Sequence, residues 1–97
     1  MKYVSIDTAT AIVSVDGRFD LCRTVEVQAE LTSAYRHGCT KILVNFARTT
    51  YIDSSAIRDL VKTRRRVHPE NFSARNASNL VLAALKTAKL DIWLKNE

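Results

Sequence analysis

The sequence of 97 residues predicts a single α/β domain, in which helices pack on a mixed, mostly parallel β-sheet. The first observation behind this prediction is an alternation of strand-like and helix-like segments along the chain. The second is "KILVNF" (41–46), a nearly continuous apolar run that is typical of a central strand covered on both faces. From these patterns we expect about five strands, the first pair antiparallel, and about three or four helices in one domain over residues 1–97.

The N-terminal part of the chain predicts two strands and a helix. "YVSI" (3–6) and "ATAIVSVDG" (9–17) carry alternating β-branched and apolar residues, and Asp16-Gly17 is a turn signal. Asp20 is a good N-cap for a helix from about residue 21 to 37, which Gly38 would end. The spacing predicts that the inward face of this helix holds Leu21, Val25, Val27, Leu31, Ala34 and Tyr35.

A second helix is predicted over residues 54–67, where Pro69 ends the pattern. The preceding "ARTTYI" (47–52) is interpreted as a connector between the apolar strand and this helix. The apolar face of the helix comprises Ile57, Leu60, Val61 and Val67.

The C-terminal part predicts a short strand, a helix and a last strand. "NFSAR" (71–75) is the short strand, Asn76 or Ser78 caps the helix, and "DIWLK" (91–95) closes the chain. The apolar stripe of this third helix comprises Leu80, Val81, Ala84, Leu85 and Ala88.

The net charge of +5 is unevenly distributed, because residues 51–97 carry most of the excess. It centres on a basic patch, which comprises Lys62, Arg64, Arg65 and Arg66. Such a patch suits nucleic acid, a membrane surface or an acidic protein, but basic side chains also suit a solvated helix C-terminus. Nucleic acid is disfavoured, since no aromatic residue lies between positions 52 and 71 to stack on bases.

The familiar signatures of enzymes are missing. The sequence has no phosphate-binding GxxxxGK[ST] loop, no glycine-rich dinucleotide loop and no GxSxG motif. Cys22 and Cys39 form no CxxC pair, so we expect free thiols that are at least partly buried. We therefore expect neither an enzyme nor a bound metal or cofactor.

The sequence also bears on location. No segment approaches the roughly 18 apolar residues of a membrane span. The N-terminal residues are polar where a signal peptide would need an apolar run. We expect a cytoplasmic protein.

"YIDSSAIRDLVK" (51–62) poses the main question about function. Asp53 and the two serines after it can be read simply as a helix cap and first turn. The alternative is that the two adjacent hydroxyls at the helix start are a chemical handle.

The segment from residue 43 to 61, "LVNFARTTYIDSSAIRDLV", resembles the "LDLSxVxxIDSSGLxxLL" pattern of STAS domains. This is the fold shared by bacterial anti-sigma factor antagonists and the tails of sulfate transporters. "GRFD", with Gly17 and Asp20, is similar to the Gly-x-x-Asp turn of the family, and Ser54 falls at the family's phosphorylated serine. Ala56 replaces the usual glycine, and Arg18 stands where an acidic residue is common.

The resemblance implies a partner-switching protein. Such a protein binds a serine-kinase anti-sigma factor, or a related switch protein of the ATPase fold, until the kinase phosphorylates the serine and a phosphatase resets it. The resemblance implies a contact surface that comprises Asp20, Asp53, Ser54, Ser55, Arg58, Asp59 and Lys62. We expect a monomer or weak homodimer that does not bind nucleic acid. Two alternatives remain: an unphosphorylated subunit of a transporter or signalling complex, and a basic nucleic-acid-binding domain.

Overall fold

The computed structural model describes residues 2–89. Within these residues it contains six β-strands, three α-helices and a short 3₁₀ helix at Pro69–Asn71. The strands are β1 (Val4–Asp7), β2 (Thr10–Ser14), β3 (Gly17–Phe19), β4 (Lys41–Asn45), β5 (Thr49–Ile52) and β6 (Phe72–Arg75). The helices are α1 (Leu21–Arg36), α2 (Ser54–Val67) and α3 (Asn79–Thr87). The predicted last strand at 91–95 lies outside the described residues.

The strands form two sheets. A four-stranded sheet has the order β1-β2-β4-β6, in which β1 and β2 are antiparallel and the other neighbours are parallel. A separate two-stranded parallel sheet joins β3 to β5. The mixed, mostly parallel α/β fold with an antiparallel first pair is thus confirmed, with its strands divided between four and two.

The interpretations of "GRFD" as a turn and of "ARTTYI" as a connector were wrong. Both segments contain strands, and Phe19 lies opposite Ile52 in the pairing of β3 with β5. The buried hydroxyl of Thr49 donates a hydrogen bond to the carbonyl oxygen of Val15 at 2.8 Å. This bond joins the start of β5 to the connection between β2 and β3. Neither β3 nor β5 carries the alternation of apolar residues that identified β1 and β6, so the pairing of β3 with β5 decides the structure.

Strand β4 is covered on one face rather than on both. Ile42 and Val44 are buried, whereas Leu43 and Asn45 are only half-buried and Lys41 is exposed. This alternation is the pattern of a sheet with one face toward the core. The expectation of two covered faces is therefore wrong for the described part of the chain.

The core takes a narrower stripe of α1 than the sequence predicts. The buried positions are Thr24, Val27, Leu31 and Ala34. Tyr35 packs partly against the core, but Leu21 and Val25 are 61% and 66% exposed. Cys22, in the same first turns, is also exposed, contrary to expectation, while Cys39 is buried as expected.

Helix α2 matches its predicted face, whereas α3 matches its predicted stripe only in part. In α2, Leu60 and Val67 are buried, and Ile57 and Val61 pack partly against the core. In α3, Val81 and Leu85 are buried and Ala84 packs against the core, whereas Leu80 and Ala88 are exposed. The hydroxyl of Ser78 caps α3 by accepting a hydrogen bond from the backbone N–H of Val81 at 3.4 Å. Among residues 2–89, no helix is both long and apolar enough to cross a bilayer.

The helices α1 and α2 run side by side in the same direction, because each follows one strand of the parallel β3–β5 pair. The Gln28 side chain joins them, since its Nε2 donates to Asp59 Oδ2 at 2.8 Å and to Thr63 Oγ1 at 2.9 Å. The N-termini of both helices therefore lie at one end of the pair and the C-termini at the other.

Candidate functional site

An aspartate follows each strand of the β3–β5 pair and caps the next helix. Asp20 Oδ1 accepts a hydrogen bond from the backbone N–H of Arg23 at 3.2 Å, and Asp53 Oδ1 accepts one from Ala56 at 2.9 Å. The backbone N–H of Asp53 donates to the carbonyl oxygen of Phe19 at 3.2 Å, which joins the two strand ends directly. Strand pairing thus brings Asp20 and Asp53 to one edge, although 33 positions separate them in the printed sequence.

The two serines after Asp53 differ in exposure. Ser54, the first residue of α2, is exposed, whereas Ser55 is half-buried. The Ser54 hydroxyl has no hydrogen-bond partner among residues 2–89, and Asp53 already performs the capping. The cap therefore accounts for Asp53 but leaves the Ser54 hydroxyl free to react or to bind.

A groove of about 180 Å³ lies between the N-terminal halves of α1 and α2. Its lining comprises Leu21, Thr24, Ser55, Arg58, Asp59 and Lys62. Arg58 and Lys62 are exposed and one helical turn apart, while the hydrogen bond from Gln28 holds the Asp59 carboxylate. The structure therefore gathers the seven residues of the predicted contact surface around the N-terminal halves of two neighbouring helices.

Two features of this surface escaped the sequence reasoning. The first is the exposed apolar pair Leu21 and Val25 on α1, which had been assigned to the core. The sequence did carry a signal, since Val25 lies about 200° around a helix from the buried Val27. Both residues therefore could not face the same core.

The second feature is a cation–π contact at the open edge of the short sheet. The Arg18 guanidinium lies 4.5 Å from the centre of the Tyr51 ring, and its Nε lies 3.9 Å from Asp20 Oδ2. The Arg18 side chain is 68% exposed, and Asp20 and Tyr51 are partly exposed, so each contact is screened by solvent and contributes little to stability. They instead add an aromatic ring and a cation to the surface beside the aspartates.

The comparisons with known proteins agree with this fold. A family model described as "Mlab, STAS domain" matches residues 3–95. No curated protein sequence matches the chain significantly.

Three solved structures share the fold over nearly the whole chain. The anti-sigma factor antagonist SpoIIAA in its unphosphorylated form superposes with a TM-score of 0.82 at 21% identity, over 97% of this chain and 85% of that one. The Bacillus cell fate determinant SpoIIAA in the phosphorylated form gives 0.74 at 19% identity, over 97% and 88%. The NMR structure of the protein TM1081 gives 0.80 at 16% identity, over 98% and 78%.

Proposed function

We propose that this chain, which belongs to the STAS domain family, is a regulatory module that switches between protein partners in the bacterial cytoplasm. In this proposal residues 1–97 form one STAS domain, and its partner is a serine-kinase anti-sigma factor or a related switch protein of the ATPase fold. The contact surface would comprise Asp20, Asp53, Ser54, Ser55, Arg58, Asp59 and Lys62. The observation that carries the proposal is the exposed Ser54 hydroxyl at the first residue of α2, which has no hydrogen-bond partner within residues 2–89.

Phosphorylation of Ser54 would act on binding more than on folding. A phosphate adds about −1.5 to −2 charge at pH 7. The N-terminus of a helix accepts an anion well, so the phosphorylated chain should stay folded. The same charge would stand beside the Asp53 carboxylate, on a surface fitted to a neutral hydroxyl. It would repel acidic groups of the partner, and removing it from water when the partner binds would cost free energy.

The exposure of the two serines favours Ser54 as the phosphate acceptor. A kinase must reach the hydroxyl, and Ser55 is half-buried in the groove between α1 and α2. Mass spectrometry of the chain after incubation with its partner kinase and ATP should therefore locate the phosphate on Ser54. Modification confined to Ser55 would contradict this assignment.

The exposed apolar pair on α1 supplies the apolar contact area that a charged surface alone lacks. Stable protein interfaces usually bury an apolar centre within a polar rim. Leu21 lines the groove beside Arg58 and Lys62, and Val25 follows one helical turn later. We therefore include both residues in the proposed contact surface.

Binding measurements on Ser54 variants test the switch. Ser54→Asp should weaken binding to the partner kinase by roughly 10- to 100-fold, whereas Ser54→Ala should retain it, because only the first variant adds negative charge. Ser5→Asp is a matched control, since it adds the same charge at an exposed position of β1. Isothermal titration calorimetry measures all three affinities.

Equal affinities for Ser54→Asp and Ser54→Ala would contradict the charge-based switch. That outcome would favour the alternative of an unphosphorylated binding subunit of a transporter or signalling complex.

A further inference from the structure

The groove between α1 and α2 has two walls of different character. The α2 wall is a stripe of side chains at spacings of three or four residues: Ser55, Arg58, Asp59 and Lys62. Positions with this spacing lie on one face of a helix, and from the first to the last of them the stripe is about 10 Å long. The α1 wall begins with Leu21.

The α1 wall exposes apolar surface that the fold does not use. Leu21 and Val25 are 61% and 66% exposed, which exceeds the exposure of every other large apolar side chain in residues 2–89. Val25 lies one turn after Leu21 and only about 40° around the helix from it, so both side chains lie along the same side of α1. Single exposed apolar residues are ordinary, but two neighbours beside a groove indicate a contact surface.

The α2 wall carries two cations that have no acidic partner. Arg58 and Lys62 are exposed, and neither forms an ion pair within residues 2–89. The Asp59 carboxylate beside them accepts a hydrogen bond from the Gln28 side chain at 2.8 Å. Neither capping aspartate lines the groove. An acidic ligand would therefore complement the charge of this wall.

We propose that the groove binds an amphipathic helix of the partner protein, in which acidic side chains flank the apolar face. The inference rests on the proposed function for the existence of a protein partner, and it names the element by which that partner docks. The apolar residues of the docking helix would cover the exposed apolar pair, and its carboxylates would pair with Arg58 and Lys62.

The shape of the groove favours a helix over an extended segment. An extended segment binds by adding a strand to an open sheet edge, whereas both walls of this groove are helices. A helix laid between two neighbouring helices can fit its side chains into the grooves of both. The length of the α2 stripe suits a contact of about two helical turns.

Three synthetic helices with the same stripe of leucines test the chemistry of the occupant. Each spans about four turns, a hydrocarbon staple holds it helical, and its remaining positions carry Glu, Gln or Lys. Each is titrated into the isotope-labelled chain while amide chemical shifts are recorded by NMR. We expect the acidic helix to bind with a dissociation constant of about 0.1 mM, the neutral helix about tenfold more weakly, and the basic helix without saturation. The shifts should centre on Leu21, Val25, Arg58 and Lys62 and be negligible at His68.

Substitutions in the two walls separate the apolar contribution from the charged one. Leu21→Gln combined with Val25→Gln removes the apolar pair and should weaken binding of both the acidic and the neutral helix by about tenfold. Arg58→Gln combined with Lys62→Gln removes the cations. It should weaken binding of the acidic helix by about tenfold and leave that of the neutral helix nearly unchanged.

The matched controls change a similarly exposed leucine and two arginines outside the groove. Leu80→Gln alters α3, and Arg36→Gln combined with Arg65→Gln alters the last turns of α1 and α2. Both controls should bind the acidic and the neutral helix like the unaltered chain. Thermal melts verify that every variant folds.

Equal affinities for the acidic and basic helices, acidic-helix shifts that fail to saturate, or unchanged affinities in the folded groove variants would each overturn the inference. Shifts at Leu21 and Val25 that grow with the concentration of the chain alone would assign the groove to a second copy of the chain instead. A chain that binds the acidic helix but is not phosphorylated on Ser54 by its partner kinase would retain this inference and lose the proposed switch. A chain that is phosphorylated there but does not bind the acidic helix would retain the switch and lose this inference.

Discussion

The two ends of the α1–α2 pair contrast in how their polar groups are satisfied. At the N-terminal end, which we term the capped end, Asp20 and Asp53 each accept a backbone hydrogen bond in the same geometry. At the C-terminal end, which we term the open end, the Tyr35 hydroxyl is buried and makes no hydrogen bond of standard geometry within residues 2–89, although the Arg66 guanidinium lies close to it, and His68 is strained. At the capped end both capping aspartates are hydrogen-bonded and Ser54 faces solvent. At the open end a polar group is buried without such a hydrogen bond.

The charges of the two ends differ as well. The capped end mixes acidic and basic side chains around one groove. The last turns of the helices carry only basic charge, from Arg36 in α1 and from Arg64, Arg65 and Arg66 in α2. Cations are favoured at a helix C-terminus, so most of the basic patch fits the interpretation of a solvated helix end.

The largest effect that we expect from this contrast concerns partner binding. Changing Arg58 and Lys62 together to Glu reverses two charges on the capped end while leaving the apolar face of α2 intact. The affinity for the partner kinase should fall by roughly 1–3 kcal/mol, which is the usual effect of a few interface residues. Isothermal titration calorimetry measures the loss.

The control for this variant is Arg36→Glu combined with Arg65→Glu, which reverses the same charge at the open end. This control should bind the partner normally. Micromolar binding of the unaltered chain to arbitrary duplex DNA, abolished by the Arg58 and Lys62 changes and weakened by salt, would instead support the nucleic-acid alternative.

The second effect concerns the stability of the capped end. Asp53→Ala should lower the free energy of unfolding by about 1 kcal/mol, because the backbone N–H of Ala56 loses its partner. Ser54→Ala should change it much less, since the Ser54 hydroxyl caps nothing. Urea denaturation measures both values, and Asp7→Ala removes an exposed carboxylate from β1 as a control. A Ser54→Ala loss as large as that of Asp53→Ala would show that the serine hydroxyl shares the capping.

Local chemistry made the helices predictable from the sequence. Asp53 and Pro69 bracket α2, and its observed bounds match the predicted 54–67. The α1 prediction ran one residue past the observed end at Arg36, and its face was too broad because apolar residues occur on both sides of the helix. A hydrophobic count cannot distinguish a core position such as Val27 from an exposed one such as Val25.

Features that depend on distant pairing were beyond local patterns. The proximity of Asp20 and Asp53 arises from the parallel pairing of β3 with β5, and neither of these two strands was predicted. Each aspartate could be read as a cap, but only the fold brings them to one edge. The buried Tyr35 hydroxyl and the strained His68 of the open end gave no signal in the sequence, since they share no motif. The role of the seven surface residues in partner binding stays a prediction.

The smallest effect concerns Tyr35 and the pH dependence of stability. Tyr35→Phe should raise the free energy of unfolding at neutral pH by roughly 0.5–1 kcal/mol, because it removes a buried hydroxyl that makes no hydrogen bond of standard geometry within residues 2–89. Burial raises the pKa of Tyr35 in the folded chain above the ordinary tyrosine value of about 10. As the pH rises through about 10, the Tyr35 phenol therefore loses its proton in the unfolded chain before it does so in the folded chain. The unaltered protein loses stability as a result.

The Phe variant lacks this proton, so its advantage over the unaltered chain should grow between about pH 8 and pH 10.5. Urea denaturation of both proteins at the two pH values measures the change, and Tyr51→Phe serves as the control, since its ring is exposed. An advantage that stays constant with pH would mean that the Tyr35 hydroxyl is hydrated or paired in solution. The open end would then hold no unsatisfied polar group, and the contrast with the capped end would rest on the strained His68 alone.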